Sequence, residues 1–210
     1  MQRISGLGAL VLCGGQSSRM GTSKAWLMFD GEPLLLRVLR RIAEVAAPLV
    51  VVAAPGQALP ALPEGVEVAR DSIAGLGPLQ GMAAGFEALS GRAAAAFVSS
   101  TDVPFLHPAF MRRLHALRGE SHDIVVPRAG GHYHPLSAVY GLSAAAEIRA
   151  LLAADRRRPF FLFERMHTRV VEPAELLADD ALRAADPGLL SLENVNTPGD
   201  LAGALARIRR

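Results

Sequence analysis

The 210-residue chain carries one cysteine, Cys13, so no disulfide can form within it, and a reducing compartment fits that usage. Aromatic residues are only 5% of the chain, yet half of all residues are hydrophobic, so a core must be built mainly from Ala, Leu and Val. Neither sign of charge dominates: 22 Lys and Arg stand against 20 Asp and Glu, a formal net charge of +2. With no basic stripe along the chain, a nucleic-acid binder is excluded as the default reading. The charged fraction of 20% beside that apolar content also argues against disorder. No apolar run reaches membrane-spanning length. The N-terminal apolar run is short and stops at glycines, so it reads as a first strand and not as a signal peptide. The expectation is a soluble cytoplasmic protein with no membrane or nucleic-acid partner. Length favours one domain over 1–210, and internal repeats, low-complexity tracts and long linkers are all missing.

What is present alternates. Residues 9–13 form a short apolar run ended by Gly14-Gly15, as in a buried parallel strand. Pro33 then opens a helix with Leu34, Leu35, Val38, Leu39 and Ile42 at helical spacing. Further strands are expected at 49–53, 66–69, 94–99, 124–127, 135–140 and 169–171. Helices are expected at 82–89, from Pro108, at 143–152 and from Pro198. Strand–helix alternation over the first half predicts a single-domain, Rossmann-like α/β fold: a mostly parallel sheet flanked by helices. Such sheets bind ligands at the carboxyl ends of their strands, which directs attention to Gly14 onward, Ala53, Asp71 and Asp102.

The segment after the first strand reads Gly14-Gly15-Gln16-Ser17-Ser18-Arg19-Met20-Gly21-Thr22-Ser23-Lys24. Glycines let backbone approach a ligand closely, and successive N–H groups in such a turn make an anion-binding nest. Ser17 adds a hydroxyl, Arg19 a forked cation and Lys24 a point charge, a combination matched to a polyphosphate. The loop is not a Walker A motif, because Thr22 and Ser23 separate Gly21 from Lys24. Nor does Gly75-x-Gly77 make a dinucleotide fingerprint, since its third glycine comes one residue late; this argues against an NAD-dependent oxidoreductase.

Leu12-Cys13-Gly14-Gly15-x-Ser17-x-Arg19-Met20-Gly21-x-x-Lys24 resembles the signature loop of the nucleotidyltransferases with a glycosyltransferase-A-like Rossmann fold. Four later segments are similar to the molybdenum cofactor guanylyltransferase branch: Arg70-Asp71 with Gly77-Pro78-Leu79-x-Gly81-Met82; Ser99-x-x-Asp102-x-Pro104-Phe105; His134-Pro135; and Asn194-Val195-Asn196-Thr197-Pro198. The resemblance implies GMP transfer from GTP to molybdopterin with loss of pyrophosphate, Mg²⁺ as the metal, and a protein that delivers or accepts the labile pterin. It implies a nucleotide-binding half over 1–105 and an acceptor-binding half over 106–210. Nucleotide contacts would fall on Leu12, Cys13, Gly14, Gly15, Ser17, Arg19, Lys24, Asp71, Pro78, Leu79, Gly81 and Asp102. Of these, Arg19, Lys24 and Asp102 would be catalytic and Asp102 would bind the metal. His134, Pro135, Arg157, Asn194 and Asn196 would meet the acceptor. Two departures stand out: Cys13 replaces a usual Ala, and Ala53 a frequent Asn.

Each residue also has a plainer reading. Lys24 could be a solvated loop lysine, Asp102 a helix or turn cap ahead of Pro108, and Asp71 an Asx-turn former. Thr197 with Pro198 makes a good helix start, while Asn194 and Asn196, two apart in an extended segment, share a face. Arg156-Arg157-Arg158 reads equally as a phosphate contact and as a solvated turn. Residues 207–210 read as a frayed, solvated basic end. The cluster Phe160, Phe161 and Phe163 reads as packing. Two rival functions remain: a cytidylyltransferase of the same fold, and a non-catalytic nucleotide-binding protein.

Overall fold

The computed structural model describes residues 2–14, 23–71 and 76–208. Its elements are, in chain order, β1 (Leu7–Leu12), β2 (Met28–Phe29), β3 (Glu32–Pro33), α1 (Leu34–Ala43), β4 (Leu49–Ala53), β5 (Val66–Arg70), α2 (Pro78–Ala88), β6 (Ala95–Ser100) and α3 (Pro108–Arg118). There follow β7 (Ile124–Ala129), β8 (His132–Tyr133), β9 (Ser137–Gly141), α4 (Ala144–Ala153), α5 (Phe160–Arg165), β10 (Thr168–Val171), α6 (Pro173–Leu176), α7 (Asp180–Ala185) and α8 (Pro198–Ile208).

The sheet runs β10-β7-β9-β6-β1-β4-β5, with β8 paired on β7. β1 pairs in parallel with β4 and β6, and β4 with β5. β9 enters antiparallel between β6 and β7, so β7 and its parallel neighbour β10 regain the common direction. The carboxyl ends of β1, β4 and β6 therefore open onto the same side as the beginning of β9. The short hairpin β2–β3 lies off this sheet.

Alternation along β1 decides the layering. Leu7, Ala9, Val11 and Cys13 pack with α1 and α3, whereas Leu10 and Leu12 pack with α2, α4 and α5. The helical periodicity of α1 buries Leu34, Leu35, Val38, Leu39 and Ile42, as its spacing predicts. Gly85 shows how closely α2 lies on the sheet: a Cβ there would sit 2.7 Å from a Leu10 methyl. Among the described residues no helix is long and apolar enough to cross a membrane.

The structure adds elements that periodicity does not announce. The Phe160 segment is the helix α5, in which Leu162 is buried; Phe161 and Phe163 lie against the α2–α4 layer, while Phe160 meets their rings and that of Tyr133 but stays 44% exposed, so its packing is partial. Arg207 is not free at a frayed end; it ion-pairs with Glu193.

Candidate active site

Asp102 follows β6 by two residues and is 8% exposed. Its Oδ1 accepts hydrogen bonds from Ser100 Oγ at 2.5 Å and Asn194 Nδ2 at 2.7 Å, while Oδ2 accepts from Lys24 Nζ at 2.6 Å. The same ammonium donates to Asn196 Oδ1 at 2.7 Å. Three segments far apart in sequence, at Lys24, Ser100–Asp102 and Asn194–Asn196, thus meet around one carboxylate. Thr101 Oγ1 donates to the carbonyl of Leu12 at 3.1 Å, and Val195 N donates to the carbonyl of Asp102 at 2.9 Å, so the turn after β6 is tied to β1 and to the C-terminal motif.

Burial explains the C-terminal motif. Val195 is fully buried with Phe29, Leu34 and Ala204, and in an extended segment this turns Asn194 and Asn196 to the opposite face, where Asp102 and Lys24 stand. Thr197 Oγ1 accepts from Asp200 N, and Asp200 Oδ2 accepts from Asn196 N and Thr197 N, a reciprocal cap at the start of α8. Those backbone donors hold the exposed Asp200 carboxyl below its ordinary range. Capping and site-facing roles therefore coexist in this motif.

The plainer readings of Lys24 and Asp102 fail. Lys24 has a side chain only 21% exposed and engages two oxygen partners. The cap of α3 is His107, whose Nδ1 accepts from Ala109 N, and not Asp102.

Cys13 is buried, and burial pushes its thiol up in pKa against the pull of hydrogen bonds from Thr101 and Gln57, the environment of a packing cysteine and not of an activated one. Leu12 is buried at the end of β1 and Gly14 is exposed just beyond it. Leu79 and Gly81 face the sheet: Leu79 is fully buried, and a Cβ on Gly81 would meet Leu12 at 3.4 Å. Pro78 opens α2 behind Gly77, whose φ of 88° suits glycine. Asp71, half-buried, donates its N–H to the carbonyl of Ala53 at the end of β4. Gly15, Ser17 and Arg19 lie outside the described residues.

On the other side of Asp102 is a cavity of about 220 Å³ lined by Ser100, Asp102, Tyr133, His134, Pro135, Leu136, Ser137 and Asn194. It unites Asp102, Asn194, His134 and Pro135. Burial first, and then His132, lower the pKa of His134 against a backbone hydrogen bond at Ala129. The Tyr140 hydroxyl, fully buried, donates to the Pro135 carbonyl at 2.8 Å and fixes that wall. Arg157 stands apart: its guanidinium pairs with Asp155 at 2.7 Å, while its carbonyl lies beside Gly77.

Two residues that the sequence reading overlooks hold the site. Gln57 Nε2 donates to the Cys13 carbonyl at 3.1 Å and to Ser23 Oγ at 3.3 Å, while its Oε1 accepts from Ala54 N at 2.9 Å. It joins the residue before the glycine-rich loop to the residue before Lys24. Arg37, on α1, is almost buried; its Nε donates to the Pro104 carbonyl at 2.8 Å and its charge faces Asp30, Glu32 and the Phe29 ring. A charge inside the apolar stripe of α1 is the signal that would have exposed it.

The Asp102 carboxylate offers hard oxygens of the kind a divalent cation takes, with Lys24 Nζ on Oδ2 and Asn194 Nδ2 on Oδ1 as the groups such a cation would have to displace or sit beside. Among the described residues no group of three or more His, Cys, Asp or Glu could hold a metal. A cation here would be held by Asp102 together with oxygens of the bound substrate and water.

Lys24 facing a carboxylate just past the end of β6 places charged groups at the carboxyl ends of a mostly parallel sheet, where α/β proteins bind their ligands. Residues 9–170 match the model of the MobA-like NTP transferase domain, and the chain belongs to that family of nucleotidyltransferases. It is 35% identical over 215 aligned positions to the molybdenum cofactor guanylyltransferase of Rhodobacter capsulatus, covering 99% of this chain and 98% of that one. A protein named probable molybdenum cofactor guanylyltransferase, from Pelotomaculum thermopropionicum, is 34% identical over 196 residues, 93% of this chain and 90% of its own. The crystal structure of molybdopterin-guanine dinucleotide biosynthesis protein A from Archaeoglobus fulgidus superposes with a TM-score of 0.75 at 24% identity, over 96% of this chain and 98% of that one. That likeness shows the shared fold.

Proposed function

We propose that this protein is a molybdenum cofactor guanylyltransferase that transfers GMP from GTP to the terminal phosphate of molybdopterin and releases pyrophosphate. The observation that carries the reading is the Lys24–Asp102–Asn194–Asn196 cluster between the ends of β1 and β6. GTP binds over the first half of the chain, 1–105, with its phosphates toward Lys24 and the glycine-rich loop including Gly15, Ser17 and Arg19, and its nucleoside toward Asp71. The acceptor binds over 106–210, in the cavity walled by His134, Pro135 and Asn194. Arg157 meets it only by exchanging its pairing with Asp155.

An oxygen of the acceptor phosphate attacks the α-phosphorus; the new P–O bond forms as the bond to the β-phosphate bridging oxygen breaks, and that electron pair leaves with pyrophosphate. Such transfers depend on alignment and on neutralising charge. Lys24 follows the leaving phosphates, and Asn194 and Asn196 orient Asp102 and Lys24. Mg²⁺ bound at Asp102 would screen the phosphate charge. The enzyme works in the cytoplasm, where a delivery or acceptor protein handles the pterin. A role as a non-catalytic binder would not require Lys24 and Asp102 to be paired at the strand ends.

Pyrophosphate release measured with GTP, Mg²⁺ and molybdopterin tests the reaction: turnover is expected, and silence would favour the non-catalytic binder. Thermal shifts with GTP, CTP and ATP test the base; a clear CTP preference would move the assignment to the cytidylyltransferase, which Ala53 keeps as the specific rival.

A further inference from the structure

The cavity beside Asp102 is too small for a whole acceptor. Ligand-sized pockets span roughly 300–1,000 Å³, whereas this one holds about 220 Å³. An acceptor whose phosphate reaches the Asp102 end must therefore lay its remaining bulk over the rim. At that rim Tyr133 belongs both to the cavity wall and to a cluster of aromatic rings. Its centroid lies 5.9 Å from Phe160 and 5.5 Å from Phe163. Phe163 and Phe161 back this cluster against the α2–α4 layer, but Phe160 is 44% exposed, with its apolar surface open to solvent. Cations frame the rings: the Arg128 guanidinium carbon lies 6.0 Å from the Tyr133 centroid, and that of Arg156 lies 3.9 Å over Phe161.

We propose that Tyr133 and Phe160 form a stacking platform that receives the planar fused heterocycle of the acceptor at the mouth of the Asp102 cavity. The inference rests on the proposed function for the identity of that heterocycle as a pterin. A fused heterocycle presents a flat π-face, and stacking on an aromatic side chain recognises it without needing a particular hydrogen-bond pattern. The flanking arginines are already paired, Arg128 with Glu172 at 2.6 Å and Arg156 with Glu164 at 3.8 Å, so the platform recognises the ring by its face and not by charge. Polar contacts from His134 and Asn194 then fix the phosphate end, so the apolar rim and the polar cavity recognise different parts of one molecule.

The test compares Tyr133→Ala, Phe160→Ala and Tyr133→Phe with the parent protein. The alanine variants should raise KM for molybdopterin about tenfold, leave KM for GTP and the GTP thermal shift unchanged, and Tyr133→Phe should retain parental values. In parallel, the fluorescence of 6-hydroxymethylpterin should be quenched by the parent protein and by Tyr133→Phe, and not by the alanine variants. Phe160 is surface-exposed, so its variant keeps the test valid should Tyr133→Ala fold poorly. Unchanged molybdopterin KM in both alanine variants would overturn the platform while turnover kept the proposed function standing. If the parent shows neither turnover nor a GTP shift, the proposed function fails, and the quenching alone decides: loss in the alanine variants supports the platform, and absent or unaltered quenching refutes it.

Discussion

Two ion pairs in this molecule are almost equally short and do different work. Lys24 meets Asp102 at 2.6 Å with side chains 21% and 11% exposed; Arg92 meets Glu67 at 2.5 Å with side chains 43% and 47% exposed. The Arg92–Glu67 pair is the better fork, since a second bond of 2.7 Å joins Nη1 to Oε2. On geometry alone it would be ranked as the stronger. Water decides otherwise: an exposed pair exchanges solvation for contact with little net gain, whereas a pair held away from water carries a desolvation cost that contact repays only in part. Packing Lys24 and Asp102 together with two asparagine amides is therefore poor evidence of stabilisation and better evidence of charge kept ready for a ligand.

The largest effect expected from breaking the comparison is at the shielded pair. Lys24→Met should lower turnover by about a hundredfold or more, the scale seen when a preorganised charge contact is removed. The fold should survive, because Asp102 keeps its bonds from Ser100 and Asn194. Single-turnover GTP consumption beside a melting curve separates the two quantities. A melting temperature that collapsed while residual turnover stayed near the parental rate would make the pair a structural device and reverse the ranking.

A middle effect is expected at Arg37, which sharpens the comparison because it is shielded even more than Lys24 but reaches no ligand. It grips the Pro104 carbonyl just beyond Asp102 and faces the acids of the β2–β3 hairpin that follows Lys24. Arg37→Met should cost about 2 kcal/mol of stability, the scale of a lost charge-assisted hydrogen bond. At a temperature where the variant is folded, kcat should still drop about tenfold, since small displacements of a catalytic group are expensive. Arg37→Lys should recover part of the stability but little of the rate, because a lysine cannot reproduce the Nε contact. Urea titration and steady-state rates check both; a rate equal to the parent's would leave Arg37 with stability alone.

These residues also mark how far the sequence could be read. Strands 49–53 and 124–127 were legible because alternating layers demand apolar runs, and the helix from Pro198 because its cap is local. Lys24 and Asp102 were legible on the nucleotide side and Asn194 and Asn196 on the acceptor side, through motifs that resemble a family, and the structure brings the four together in one cluster. Gln57 and Arg37 were not, because their partners are backbone carbonyls of other loops, and a carbonyl leaves no signature in side-chain identity. The packing roles of Leu79 and Gly81 were hidden for a related reason: they sit inside a ligand-binding motif, yet the fold turns them to β1 and its layer. The β2–β3 hairpin and α5 were too short to establish a period.

The smallest effect should come from the exposed pair. Hydrogen bonding from Arg92 holds the Glu67 carboxyl below its ordinary pKa. A lowered carboxylate pKa contributes stability above the unfolded value that is lost as pH falls through the folded one, but here solvent and salt screen it. Arg92→Gln should leave turnover unchanged and shift Tm by no more than about 2 °C. Whatever shift remains should vanish in 1 M salt, where the screening length is about 3 Å. Calorimetry at low and high salt makes the measurement. A large, salt-insensitive loss would mean that the fork between β5 and the turn after α2 organises the sheet edge, and exposure would no longer be the property that separates the two pairs.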